Sequence, residues 1–294
     1  MKISYATAVK LGIKKGKLDF EMPTGYIMLG EKCVYNCQFC AQARNSSTSL
    51  NMLSRVTWKE LSLTEFKNIF DENLFKRICL QVVSSINYEE ELYELLSFFK
   101  EKDIKISVSI RPKNIEEVKK LFDDYEIDNL GIAIDVADEN LFKKIKGTHF
   151  DNFFSILCKS AELYVNKITT HLIVGLGECD ADLISLMEKL KKINVTVGLF
   201  AFTPIKGTLM EGYEKPSLER YRKIQYSREI IYSKEKYDNT DFKFDENGNL
   251  IELPKIELNR IEAEKTSGCE FCTRPYYNEK PKKDNYNVPT IRKS

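Results

Sequence analysis

The chain has 294 residues, of which 43% are hydrophobic, enough for a sizeable core in one large α/β domain or two smaller ones; disorder of the whole chain is excluded. Its 45 basic and 44 acidic residues nearly cancel, so no bulk charge exists for nucleic acid or an anionic membrane to grip, and a small or protein-borne substrate is expected. No stretch approaches the roughly 18 apolar residues of a membrane span or the apolar core of a signal peptide. The expected location is the cytoplasm, where the eight cysteines read as metal ligands or buried apolar thiols before they read as structural disulfides.

In chain order, six runs rich in β-branched and aliphatic residues predict strands at 25–31, 77–85, 104–110, 129–135, 167–175 and 195–202. Between them, "EEELYELLSFFKEK", "NIEEVKKLFDDY", "HFDNFFSILCKSAELY" and "DADLISLMEKLKK" carry helical periodicity. Six β-α repeats imply a parallel sheet covered by helices, either open or curled toward a barrel, with ligands at the carboxyl ends of the strands. A further helix is expected from near Pro216, then a hairpin in "FKFDENGNLIEL" whose Asn-Gly supplies the positive-φ positions, and a Lys- and Pro-rich tail from about Asn278.

Directly after the first strand stands "CVYNCQFC", with Cys33, Cys37 and Cys40 in a C-x3-C-x2-C array. Three thiolates can hold three irons of a cubic 4Fe-4S cluster and leave the fourth open; a structural zinc site would want a fourth ligand, and neither histidine is near in sequence. The array, with Phe39 before its last cysteine, resembles the signature of the radical S-adenosylmethionine (SAM) superfamily. That resemblance implies a partial (β/α)6 barrel over residues 21–235, with extensions at 1–20 and 236–294. It also implies SAM bound to the open iron and cleaved to a 5'-deoxyadenosyl radical, by an electron from a ferredoxin or flavodoxin-type donor.

Asp135, ending the fourth strand, suits hydrogen bonds from ribose hydroxyls; the alternative is a helix N-terminal acid, a role that Asp138 fits better. "HLIVGLGE" and "FTPIKGT" resemble the biotin synthase branch, which implies SAM contacts at Phe39, Asp135, Ile173 and Gly175, with Gly175 and Gly177 open to close backbone approach. The second cluster of biotin synthase finds only Cys79 in its expected strand position, since Ser107, Ser109 and Thr169 offer no thiolate.

The C-terminal "GCEFCTRPYY" supplies another pair, Cys269 and Cys272, for which cluster, zinc and redox roles are all open. With its flanks it resembles the biotin-synthase-related proteins that act as two-component lipoyl synthases. The resemblance implies a second, auxiliary 4Fe-4S cluster as sulfur donor, a sister radical SAM protein, and an octanoylated lipoyl carrier protein as substrate, sulfurated at C6 or C8. Cys79 is either a third thiol for that cluster or a small core residue, and Ser267 or Arg274 are candidates to complete it. Cys158 reads as a helix residue, Cys179 as a free loop thiol, and Arg274 also as a carboxylate or phosphate contact. The competing readings are a rearranging or fragmenting enzyme of the methylornithine synthase or hydrogenase-maturase type, and a metal-binding scaffold without catalysis.

Overall fold

The computed structural model describes residues 1–233, 241–277 and 285–289. The chain opens with β1 (Lys2–Ser4), α1 (Tyr5–Lys10) and β2 (Thr24–Leu29), then a hairpin of β3 (Met52–Leu53) and β4 (Val56–Glu60), and α2 (Leu63–Ile69). Next come β5 (Arg77–Val82), α3 (Tyr88–Lys100), β6 (Lys105–Ser109), α4 (Ile115–Asp123), β7 (Asn129–Gly131), α5 (Glu139–Lys146) and α6 (Phe150–Leu163). The last repeats are β8 (Ile168–Val174), α7 (Asp180–Lys192), β9 (Thr196–Ala201) and α8 (Leu218–Tyr232). A small hairpin of β10 (Lys243–Phe244) and β11 (Leu250–Glu252), then α9 (Arg260–Ala263) and α10 (Arg274–Tyr277), follow.

All six expected strands are present, and they pair in parallel in the order β2-β5-β6-β7-β8-β9. β1 lies antiparallel between β2 and β4, so the sheet has nine strands. Three residues of β1 and two of β3 are too few for an alternating pattern to show in sequence.

The sheet is curled, as a partial (β/α)6 barrel requires. Five inter-strand steps separate β2 from β9, about 24 Å on a flat sheet. Ser267 nonetheless accepts the Leu199 N–H on β9 while Thr273 donates its N–H to Tyr26 on β2. Six residue steps reach about 21 Å fully extended, and here they include a turn closed by Cys272 N–H on the Cys269 carbonyl, so the two strands must approach each other.

Alternation along the strands sorts the two faces of the curl. Ile78, Leu80, Ile106 and Val108 turn outward and are buried with Leu95, Phe99, Val118 and Leu121 of the helices. The register places Tyr26, Cys79, Ser107 and Asn129 on one rung of the sheet, a polar strip facing the lumen.

Three expectations are corrected or fall outside the description. In the β10–β11 hairpin only Gly248 has positive φ; Asn247 does not, because Asp245 closes a longer loop by accepting the N–H groups of Asn247 and Asn249. The boundary at 235 and most of the tail from Asn278 lie outside the described residues, though Val288 bridges to Lys265. Among the described residues no helix is long and apolar enough to cross a membrane.

Candidate active site

The first cysteine loop leaves β2 through Gly30, whose φ of +82° and lack of a Cβ are both required: a Cβ there would sit 2.5 Å from the Val83 carbonyl oxygen. The loop is then pinned by backbone bonds to its neighbours. Val34 donates to Ser84, Gln38 to Ile145 and Arg44 to Tyr35, at 2.8–2.9 Å. Cys33, Cys37 and Cys40 consequently line one cavity, at the carboxyl ends of β2, β5 and β6, together with Ser109, Arg111, Asp135 and Lys146.

Burial pushes all three thiols up, Cys40 to about 12 with a further push from the neighbouring Cys37, while Lys146 and Arg111 pull Cys33 and Cys37 back down. Buried thiols of this kind become thiolates when a metal replaces the proton. The Nη1 of Arg111, whose guanidinium lies 3.6 Å from the Tyr35 ring centre, is buried and has no hydrogen-bond partner among the described residues. Three thiols and an unpaired guanidinium nitrogen on one cavity fit an anionic cluster. Among the described residues no three donors meet at single-ion spacing, and a cubic cluster distributes its thiolates over separate irons.

Asp135 sits in the left-handed region, φ +66°, and is strapped to β8 by its own N–H on the His171 carbonyl and by the Ile173 N–H on its carbonyl, each 2.8 Å. Its Oδ2 is held 2.6 Å from the Lys146 amine, while Oδ1 has no hydrogen-bond partner among the described residues. Lys146 is only 5% exposed and also donates to the Ala133 and Ile134 carbonyls. Sequence reading missed it, although the signal was there: it stands four residues after Phe142 on the buried face of α5. Asp138 caps that helix by accepting the Leu141 N–H, as expected.

A second cavity adjoins the first and shares with it Phe39, Cys40, Leu53, Gln81, Asp135 and His171. Ile173, Phe200, Phe202 and Ile205 make its outer wall apolar, and Gln81, His171 and Arg274 make its inner end polar. Leu53 comes from the β3–β4 hairpin, which sequence reading did not anticipate. Gly175 lines neither cavity; its φ is +102°, and the place of its missing Cβ is taken by Pro216 Cδ at 2.8 Å. The loop after it is braced by buried Glu178, which accepts the Gly175 and Leu176 N–H groups and pairs with Arg220.

Below the polar end lies the other thiol set. Gln81 donates to Cys79 Sγ at 2.9 Å, and burial, then the nearby Cys269, push the Cys79 thiol up, while Cys79 in turn adds to the rise of Cys272. Cys272 donates a hydrogen bond to Cys269, which with Arg77 lowers the Cys269 thiol to about 6 and drives Cys272 well up. Arg77, 4% exposed, donates to Ser107 Oγ at 2.6 Å, and Ser107 Oγ lies 3.9 Å from Cys269 Sγ. The buried Nε of Arg77 has no partner among the described residues. The C-terminal pair and Cys79 are therefore brought together, 190 residues apart in sequence, and the unpaired Nε beside them fits an anionic group. Ser267 Oγ is engaged by the Leu199 N–H, and Arg274 is buried with Nη2 on the Leu53 carbonyl. Cys158 is half-buried on α6, and Cys179 is a free thiol on the loop just before α7, as expected, where its Sγ donates to Asp182 Oδ2.

Comparison with known proteins agrees with this geometry. Among curated relatives, an uncharacterized protein of Methanocaldococcus jannaschii is 28% identical over 71% of this chain and 55% of its own length. A biotin synthase of Persephonella marina is 26% identical over 65% and 57%, and a lipoyl synthase of Buchnera aphidicola 28% over 58% and 54%. The chain thus spans a little over half the length of the curated relatives it matches. The fold is shared with methylornithine synthase (TM-score 0.58, 17% identity, 77% of this chain and 66% of that one). It is also shared with the hydrogenase maturase HydG of Carboxydothermus hydrogenoformans (TM-score 0.55, 18% identity, 71% and 51%). The family model of the radical SAM superfamily matches residues 27–190, which include the whole first thiol loop and strands β5 to β8; the chain belongs to that superfamily.

Proposed function

We propose that this protein is a radical SAM sulfurtransferase, one component of a two-protein lipoyl synthase that inserts sulfur into an octanoyl chain on a lipoyl carrier protein. The observation that supports this reading is the grouping of Cys79, Cys269 and Cys272 next to Gln81 and Arg274, which line the same cavity as Cys40. Cys33, Cys37 and Cys40 would hold the SAM-binding 4Fe-4S cluster, and the other three thiols would hold an auxiliary one. When bound, these groups supply a 5'-deoxyadenosyl radical for hydrogen abstraction and a sulfide for the resulting carbon radical.

The residues of the chain prepare the site for that chemistry. Lys146 fixes one oxygen of Asp135 and leaves the other for ribose hydroxyls. Phe39 and Ile173 offer apolar surface to the adenine, and Leu53, Phe200, Phe202 and Ile205 offer it to an alkyl chain while excluding water. The similarity to a lipoyl synthase is in keeping with this. Electrons would come from a ferredoxin or flavodoxin-type donor, and the sister protein would place the other sulfur.

A second reading, rearrangement or fragmentation of a small molecule, is favoured by the polar inner end of the cavity, where Gln81, His171 and Arg274 would suit a polar substrate. That chemistry requires no sulfur donor. Iron and sulfide analysis after anaerobic reconstitution separates the two: about eight of each per chain, falling to about four in Cys269→Ala, is expected for sulfur insertion. About four in both proteins would overturn it.

A further inference from the structure

Three thiols satisfy three irons of a cubic cluster, so the auxiliary site still lacks one donor. The surroundings narrow the choice. Ser267 and Tyr26 already accept backbone N–H groups, Ser107 accepts from Arg77, and Gln81 is turned toward Cys79 through its amide nitrogen. Arg77 and Arg274, as guanidinium cations, have no free lone pair and already donate to Ser107 Oγ and the Leu53 carbonyl. His171 is different. Its imidazole has a lone pair, makes no hydrogen bond with any described residue, and lines both cavities.

The packing also places this ring against the cysteine segment. His171 pairs with Gly198 across β8 and β9. A Cβ on Gly198 would lie 3.4 Å from His171 Cδ2, 3.5 Å from Gly268 Cα and 3.3 Å from the Ser267 carbonyl oxygen. The empty side of Gly198 is therefore where the imidazole edge meets the residue just before Cys269. Phe200, edge-on to the ring at 5.0 Å between centres, limits its tilt.

We propose that His171 is the fourth ligand of the group held by Cys79, Cys269 and Cys272, on the side that faces the substrate cavity. The proposal rests on the sulfur-donor reading above and deepens it, because the iron with the odd ligand is the one nearest the place where an alkyl chain would lie. A nitrogen ligand in place of a fourth thiolate also raises the reduction potential, as imidazole does in two-iron centres.

The test uses the full chain carrying Cys33→Ala, Cys37→Ala and Cys40→Ala, which retains only the auxiliary thiols. It is reconstituted, reduced with dithionite and studied by pulsed EPR, with natural and with [15N]histidine; the chain has two histidines, so labelling is nearly site-specific. About four irons per chain and a nitrogen coupling that changes on labelling, and that disappears in His171→Cys while the iron stays, are expected. About four irons with no histidine coupling, or a coupling that survives in His171→Cys, would overturn the ligand assignment and leave the auxiliary cluster standing. No cluster in the triple variant would overturn both.

Discussion

Tyr26→Phe is the mildest change that loosens the C-terminal cysteine segment. The Tyr26 ring is 1% exposed, and its hydroxyl accepts the Thr273 N–H at 2.9 Å and lies 3.0 Å from Thr273 Oγ1. Burial, then the nearby Cys272 and Cys79, raise this phenol well above its ordinary value, so the neutral hydroxyl is the form present. Removing one oxygen leaves the aromatic packing intact but strands a buried N–H, at a cost of about 1–3 kcal/mol, so about 2 kcal/mol is expected. For a chain of this size, unfolding with about 2.1 cal/mol/K per residue, that lowers the melting temperature by roughly 3 °C. The assay is paired: thermal unfolding of metal-free protein, and the rate at which a chelator strips iron from reconstituted protein. About half the iron should leave faster in the variant, since only one thiol set is loosened. Unchanged melting together with uniform stripping would refute the docking of residues 267–273 under the sheet.

Cys79→Ala should lower iron from about eight to about four per chain, because its thiol lies with Cys269 and Cys272; retention of about eight would make Cys79 a core residue only. Lys146→Met leaves the half-buried Asp135 carboxylate without its ion-pair partner and should cost about 3 kcal/mol in denaturant unfolding, with weaker SAM binding by calorimetry; unaltered SAM affinity would detach Asp135 from the ribose. In Gly30→Ala a Cβ 2.5 Å from the Val83 oxygen at φ +82° should cost at least about 2 kcal/mol and impair iron loading at the first thiol loop, measurable by iron content and melting. Wild-type stability in that variant would mean the loop leaves β2 by another path.

Much of the barrel was legible because each of its strands carries a run of β-branched and aliphatic residues long enough to register, and the first thiol loop because its three cysteines are close in sequence. What escaped was encoded in distant contacts. β1, β3 and β4 are short and take their place by pairing with one another and with β2. Lys146 acts through Asp135, and Arg111 gained its place only when the curl turned the end of β6 toward the loop. The C-terminal pair was visible as a pattern, yet its union with Cys79 depends on Tyr26 and Leu199 capturing the segment across the lumen. Gly175, read in the sequence for close ligand approach, is also required by its positive φ and by Pro216, which fills the place of a Cβ.

The most direct test of the central claim is the origin of the inserted sulfur. The protein is reconstituted with 34S-sulfide and given an octanoyl peptide, SAM, reductant and the sister protein, and the product is weighed by mass spectrometry. A thiolated peptide carrying the heavy isotope, absent with Cys269→Ala while 5'-deoxyadenosine still forms, is the predicted result. Formation of 5'-deoxyadenosine with no thiolated peptide, or with product free of the label, would contradict it.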